Sequence, residues 1–404
     1  MEYVSLKKIH YTQPDKEDSI YLQRFNSELT RHFGIDIKQY NHDKAYPAFI
    51  CYTEDMMLLQ EKINQKYEEF LYIINSSPSV VLQQFSLMCI VDEVQSTNDI
   101  EGVKSTRREI AKILDEASST NSRMGSVVQK YQNLLTKDDI PFITCQDIRI
   151  FYDNFAHDEV SKDVPTNRLD GTIFRKDSVD VTSATGKTIH RGLYPESKII
   201  DTMTLALSIL HNEDIPALVR ISVYHYLFAY IHPFYDGNGR TDRFITAYCL
   251  AKHFHPLIAI RLSVTIKRYR KKYYSLFEDA DSELNRADLT PFVEGFMALF
   301  LASFEDTIRL LTRKREQLKR YEKKLSDIYS GDELAENIYY ILLQAALFYG
   351  QGVTIQDLIT ITGKSRVTIQ KRIDSIPDHH LIKTKIQNKY YYKLNLLILK
   401  TEEA

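Results

Sequence analysis

A histidine, a carboxylate, two glycines and two arginines fall within twelve consecutive positions, His232-Pro233-Phe234-Tyr235-Asp236-Gly237-Asn238-Gly239-Arg240-Thr241-Asp242-Arg243. Each residue type has a use in phosphate chemistry. Gly237 and Gly239 lack a Cβ and let backbone N–H groups approach a phosphate closely. Asp236 is a hard oxygen ligand of the kind Mg²⁺ takes, and a triphosphate needs such a cation to offset its charge. Arg240 and Arg243 are three apart, share a face on a helix, and can each grip phosphate oxygens bidentately. His232 precedes the glycines, where an imidazole can take a proton from an incoming hydroxyl. A turn rich in Asn and Gly before a charged helix start accounts for any one of these residues, but not for their convergence.

The elements that must position this stretch are mostly helical. Glu54–Asn75 and Val80–Glu93 carry apolar residues at three- and four-residue spacing with little Gly or Pro. Ser105–Ala117 adds a helix opened by a capping box of Thr106 and Glu109. Ile199–Leu210 and Ala217–Ile231 follow, the second running straight into His232, and the cradle then opens Arg240–His253. A cradle at a helix N-terminus suits an anion, because orphan N–H groups and the helix dipole point there. Segment 166–199 breaks the helical pattern: Ile173-Phe174-Arg175 and Val179-Asp180-Val181 are β-prone runs that predict a hairpin or extended flap. His225, seven residues before His232 and on the same helix face, reads as a hydrogen-bonded core histidine.

At 404 residues the chain has room for two or three domains, and 44% apolar with 26% charged residues is ordinary for a globular protein. A formal net charge of −2 gives no global pull toward nucleic acid or membrane, so such binding needs a local patch. Cys51, Cys89, Cys145 and Cys249 lack metal-ligand spacing and fit a reducing cytoplasm. With no signal-like start and no run of about 18 apolar residues, the expectation is a soluble cytoplasmic protein that does not enter a membrane.

After Leu310 the stretch Arg313–Lys324 reads as a charged connecting helix. Beyond Gly331, helices over Ile338–Phe348, Thr354–Thr360 and Ser365–Ile373 precede strands Leu381–Ile386 and Lys389–Lys393 about a turn at Gln387-Asn388, the winged-helix plan. Between Thr354 and Lys393, Lys364, Arg366, Lys371, Arg372, Lys383, Lys385, Lys389 and Lys393 face only Asp357, Asp374 and Asp378. That balance points to DNA through 354–393, while Tyr390-Tyr391-Tyr392 and the tail Leu394–Leu399 equally suit a protein contact or dimer.

The stretch His232–Arg243 resembles the signature of the Fic (Fido) family, H-P-F-x-[D/E]-G-N-G-R-x-x-R, with every specified position matched. Members transfer the AMP moiety of ATP to a hydroxyl side chain of a protein. The resemblance implies a base in His232, Phe234 anchoring the loop, and Mg²⁺ on Asp236. It further implies an anion hole at Gly237, Asn238 and Gly239, outer phosphates on Arg240 and Arg243, and nucleotide contacts reaching Thr241 and Asp242. Upstream, Ser96-Thr97-Asn98-Asp99-Ile100-Glu101-Gly102 is similar to the family's inhibitory motif [S/T]-x-x-x-E-[G/N]. There the resemblance implies that Thr97, Glu101 and Gly102 form an inhibitory element, with Glu101 pairing Arg243 and keeping the γ-phosphate from seating. A carboxylate beside guanidiniums competes for the same donors as phosphate. The family's flap hairpin corresponds to 173–184, docking a target protein by strand addition, with Thr182 and Ser183 near the nucleotide. Lys272-Tyr273-Tyr274 and Asp281 resemble the helix lining the adenine pocket, although an Asn commonly stands at the Asp281 position.

The resulting expectation is a mainly α chain: a Fic-type helical bundle with a β-hairpin flap, followed by a small α+β winged-helix domain. Its parts are an N-terminal helical region over 1–139 with the inhibitory helix near 90–103, a catalytic core over 140–300, a charged connecting helix over 301–330 and a winged helix over 331–404. The implied function is a protein adenylyltransferase using ATP and Mg²⁺, autoinhibited by Glu101, with self-AMPylation and homo-oligomers as in the family. The rivals are a de-AMPylating hydrolase on the same site and a DNA-binding regulator with a vestigial catalytic domain.

Overall fold

The computed structural model describes residues 3–115, 124–136, 139–157, 167–182, 186–328, 332–386 and 388–399. Two compact units emerge, one of Met1–Tyr67 with Glu93–Phe304, the other of Glu68–Asp92 with Glu305–Ala404.

The chain opens with helices α1 (Leu6–Thr12) and α2 (Glu17–Phe25), then an antiparallel hairpin of β1 (Thr30–Lys38) and β2 (Ala45–Cys51). The N-terminal region is therefore not purely helical: Phe33, Ile35 and Ile37 alternate inward along β1, a period-2 pattern that an expectation of helix over 1–139 overlooked. Helix α3 (Glu54–Asn75) has the expected bounds. Helix α4 spans Ser79–Ile100, seven residues past the predicted end at Glu93. The apolar spacing gives out there, yet Ser96, Thr97 and Asn98 are buried, and the stop comes only at Gly102, whose φ of 74° suits a residue without a Cβ. Helix α5 (Arg107–Asp115) starts on the predicted capping box, with Glu109 N–H donating to Thr106 Oγ1 and Thr106 N–H to Glu109 Oε2.

Helices α6 (Gly125–Thr136), α7 (Cys145–Tyr152), α8 (Glu196–Leu210), α9 (Ala217–Ile231) and α10 (Asn238–His253) build the centre of the first unit. In α9 nearly every residue is buried, so this helix is apolar all round and is enclosed by its neighbours. A short hairpin, β3 (Asp180–Thr182) with β4 (Thr188–Arg191), lies between α7 and α8. It is displaced from the predicted flap. Ile173-Phe174-Arg175 is not strand, because Phe174 and Arg175 are buried and three successive N–H groups, those of Thr172, Ile173 and Phe174, donate to the Glu196 carboxylate. After α11 (Pro256–Ala259), α12 (Leu262–Arg268) and α13 (Arg270–Ala280), helix α14 runs unbroken from Thr290 to Ile328. No helix break separates core from connector at residue 300, since no Gly or Pro follows Gly295 within it.

In the second unit, α15 (Glu333–Phe348) begins on the Asp332 cap, earlier than predicted. Helix α16 (Ile355–Thr362) carries a Thr354/Asp357 capping box and stops at Gly363, and α17 (Arg366–Asp374) starts on the Ser365 cap. The hairpin of β5 (Leu381–Ile386) and β6 (Lys389–Leu394) pairs Lys385 with Tyr390, and Tyr392 bridges to Val353. Among the described residues no helix is long and apolar enough to cross a membrane.

Candidate active site

The loop between α9 and α10 is held from three sides. Helix α9 ends where His232 turns left-handed, at φ 52° and ψ 62°, with its N–H still donating to Phe228 O at 2.9 Å and Pro233 barring continuation. Phe234 is fully buried and stacks on Tyr152 at 3.7 Å between centroids. The Asn238 side chain closes the loop on itself: its Oδ1 accepts from Phe234 N–H at 2.9 Å and its Nδ2 donates to Phe234 O at 2.7 Å. Asn238 therefore offers a ligand its backbone N–H, its amide being committed. Tyr152 OH donates to Asp236 O at 3.1 Å, and Asp236 Oδ1 accepts the Gly237 N–H.

Arg175 is a site residue that the sequence reading passed over as part of a β-prone run. Its buried guanidinium donates to His232 O at 2.9 Å and to Ile231 O, carbonyls that the end of α9 leaves without helical partners, and also to Asp177 O in its own loop. A Cβ at Gly192 would collide with Arg175 and lie 2.9 Å from His232 Cβ, so only glycine lets the chain leaving β4 pass so close. Burial, helped by His190 and the Arg175 charge, pushes the His232 imidazole down to about 3. The ring is neutral at ordinary pH and keeps a lone pair for a proton.

Helix α10 starts with Gly237 left-handed at φ 78° and carries Arg240, Thr241, Asp242 and Arg243 buried in its first turns. Arg243 is the best defined. Its Nε donates to Thr97 Oγ1 at 2.9 Å, its Nη2 to Thr97 O at 3.1 Å, and its Nη1 lies 2.8 Å from Glu101 Oε1. The guanidinium side chain is 2% exposed and the carboxylate 30%. Burial works against the Arg243 charge, and the Glu101 carboxylate outweighs it, leaving the guanidinium more firmly protonated than usual. A Cβ on Gly239 would collide with Glu101 Oε1 and stand 2.9 Å from Arg243 Nη1, so the Glu101 carboxylate lies against the glycine of the cradle itself.

The structure thus brings Thr97, Glu101 and Arg243 together beside Gly239, with Gly102 closing α4 just beyond. Asp242 points into the bundle, its Oδ2 3.0 Å from His225 Nδ1. His225 also bonds Thr246 Oγ1 and Tyr273 OH at 2.9 and 2.8 Å, the core role expected of it. Tyr274 is half-exposed with Arg270 over its ring at 5.5 Å. Asp281 Oδ1 accepts from Tyr226 OH at 2.7 Å, and burial raises its carboxyl against the opposing pull of His190. Thr182 ends β3 on the surface, whereas Ser183 lies outside the described residues.

Glu93 was also missed. It is fully buried, and its carboxylate accepts from Ser263 N–H at 3.0 Å and from Val264 N–H at 3.4 Å, at the start of α12. Its signal was available: Glu93 and Thr97 are four apart on one helix face, and Glu101 follows four residues on, just past the helix end.

Residues 149–250 match a family model described as the Fic/DOC family. A protein adenylyltransferase Fic of Aedes aegypti is 39% identical over 69 residues, 17% of this chain and 12% of that protein. A protein of the same name in Drosophila erecta is 37% identical over 87 residues, 22% of this chain and 15% of the relative. The chain therefore matches a small fraction of these relatives' own length. A Fic family protein from Desulfovibrio desulfuricans G20, 20% identical, shares the fold with a TM-score of 0.51 over 85% of this chain and 97% of that one.

Proposed function

We propose that this chain, which carries a Fic/DOC-family domain over residues 149–250, is a protein adenylyltransferase held off by its own Glu101. One observation carries the reading: a carboxylate of the chain lies against Gly239 and on Arg243, where the cradle would otherwise receive a phosphate oxygen. In the open site, the His232 lone pair takes the proton of a target Ser, Thr or Tyr hydroxyl. The hydroxyl oxygen bonds to the α-phosphorus, the bond to the bridging oxygen breaks, and pyrophosphate leaves. Backbone N–H groups at Gly237–Gly239 and the guanidiniums of Arg240 and Arg243 hold the nucleotide's phosphates and the charge that builds in the transition state. Thr241 and Asp242 support the cradle from inside α10, and Tyr274 and Asp281 flank the base.

The residues fit Mg²⁺. Among the described residues no three His, Cys, Asp or Glu side chains cluster as a metal cage. A single carboxylate, Asp236, suits a cation that keeps waters and takes substrate phosphates. Bound there, Mg²⁺ would supply charge neutralisation at the phosphates.

The partner is a protein segment paired to the hairpin of β3 and β4, or a second copy of this chain in self-modification. Residues 331–404, part of the second unit and read as a winged helix, contribute a DNA-binding face, and the setting is the cytoplasm. The test is incubation with ATP and Mg²⁺ followed by mass spectrometry. A mass increase of one AMP per modified hydroxyl, lost in His232→Ala, supports transfer. No adduct on the chain or on lysate proteins, even from Glu101→Gly, contradicts it. A 30% exposed Glu101 can also orient water. Release of AMP from a modified protein that is lost in Glu101→Gly would assign hydrolysis instead.

A further inference from the structure

We infer that Glu93 is the positioning residue of the inhibitory helix: it fixes where α4 sits along α12, so that Thr97 and Glu101 come level with Arg243. This rests on the autoinhibited reading above.

The two ends of the α4 face differ in kind. Glu101 stands beyond the last helical residue, partly in water, on a turn where Glu101 N–H donates to Asn98 O at 3.1 Å. A half-solvated ion pair of that sort holds weakly by itself. Glu93 lies two helical turns earlier with no exposed surface, and its two oxygens receive Ser263 N–H at 3.1 and 3.0 Å. These N–H groups belong to the first turn of α12, which has no helical acceptor for them. Moving α4 by one turn, a shift of about 5.4 Å, would leave a buried carboxylate and buried N–H groups without partners. The same shift would carry Glu101 off Arg243.

Two further contacts between α4 and the α12–α13 segment hold the register less tightly. Lys267 Nζ reaches Asp99 Oδ2 at 2.6 Å with both side chains partly in water. Arg270 Nη2 donates to Ile100 O at 3.0 Å, which any residue at 100 could accept. Tyr131 is fully buried and near enough to feel both the Glu93 carboxylate and the Arg243 guanidinium, so latch and lock share one interior. Glu93, Thr97 and Glu101 form one ladder: the first rung sets the height, the other two close the site.

The experiment compares initial self-labelling rates of the full chain with ATP and Mg²⁺ in Glu93→Ala, Glu93→Gln, Glu101→Gly and Glu93→Ala/Glu101→Gly. Glu93→Ala should label at least about ten-fold faster than the parent, the size expected when a population shifts toward a competent state. Glu93→Gln, whose amide oxygen still accepts from Ser263, should stay near the parent rate. The double variant should match Glu101→Gly, because both changes open the same lock. A folded Glu93→Ala as quiet as the parent, beside an active Glu101→Gly, overturns the inference. So does a double variant faster than Glu101→Gly by the full single-variant factor. Should Glu93→Ala not fold, Glu93→Asp withdraws the carboxylate by one methylene and takes its place with the same expectations. If Glu101→Gly does not label at all, the adenylyltransferase reading is what fails. Amide hydrogen exchange over 97–101 then decides separately: faster exchange in the Glu93 variant supports the latch, and unchanged exchange overturns it.

Discussion

Glu101 Oε1 lies 2.8 Å from Arg243 Nη1, and two further donors of that guanidinium go to Thr97 Oγ1 and Thr97 O. One residue pair thus joins the end of α4 to the first turns of α10. It also separates two roles: Arg243 is buried and fixed, whereas Glu101 keeps a route to water. An anion competing for Arg243 need displace only the carboxylate.

Gly239→Ala tests how close that carboxylate lies. The new Cβ would collide with Glu101 Oε1 and approach its Cδ to 2.8 Å. The bridge should open, seen as faster amide exchange at the end of α4. Labelling should nevertheless stay well below that of Glu101→Gly, because the methyl fills the space a phosphate needs. Combining Gly239→Ala with Glu101→Gly should lower the rate of Glu101→Gly.

In a Glu101→Gly background, His232→Ala should reduce labelling about 10²- to 10⁴-fold, the usual worth of a positioned general base. Nucleotide affinity should hold. Arg243→Ala should do the reverse and weaken nucleotide binding, measured by calorimetry. Arg175→Ala should behave like a milder His232 variant, since it loosens the carbonyl of His232 that the guanidinium holds at 2.9 Å.

The loop stood out as a candidate for phosphate chemistry because its residue types are contiguous, twelve positions from His232 to Arg243. The hairpin was less legible. Ile173-Phe174-Arg175 looks like strand by propensity, but Glu196 draws three of the neighbouring N–H groups, and pairing falls to Asp180–Thr182 with Thr188–Arg191. Arg175 and Glu93 act through backbone groups brought near by the fold, which no local pattern announces. Helix α4 was cut short for a related reason: its last two turns bury polar residues against polar partners, so the apolar period fades while the helix continues.

Two buried groups give opposite pH dependences. The His232 imidazole drops from 6.5 in the unfolded chain to about 3, so between these values the unfolded state binds more protons and stability rises with pH. Glu93 goes the other way, from 4.5 to about 7, chiefly through burial. The folded state then binds the extra proton, and stability falls as pH rises from 4.5 through 7. Chemical denaturation across about pH 3–8 should show the first slope vanish in His232→Asn and the second in Glu93→Gln, each worth on the order of a few kcal/mol at most. The labelling rate of Glu101→Gly should show no acid limb centred on the ordinary imidazole value of 6.5.

The second unit's exposed cations predict duplex binding. Lys364, Arg366 and Lys371 are exposed at α17, and Lys383 and Lys385 on β5 lie over the Tyr390 ring at 4.4 and 5.7 Å. Fluorescence anisotropy should show affinity for duplex DNA falling with salt. Lys383→Ala/Lys385→Ala should flatten the log–log slope by about 2, since each phosphate left without its lysine takes away about 0.9. A slope the variant leaves unchanged would show that the wing does not touch the duplex.

On the autoinhibited reading, Glu101 occupies a working phosphate site. That occupancy is tested most directly by the rate of AMP transfer by Glu101→Gly against the parent chain at equal ATP and Mg²⁺. The variant should be at least about ten-fold faster, and adding His232→Ala should slow it by about 10²- to 10⁴-fold. Equal rates in the parent and Glu101→Gly, with both folded and binding nucleotide alike, would contradict that reading.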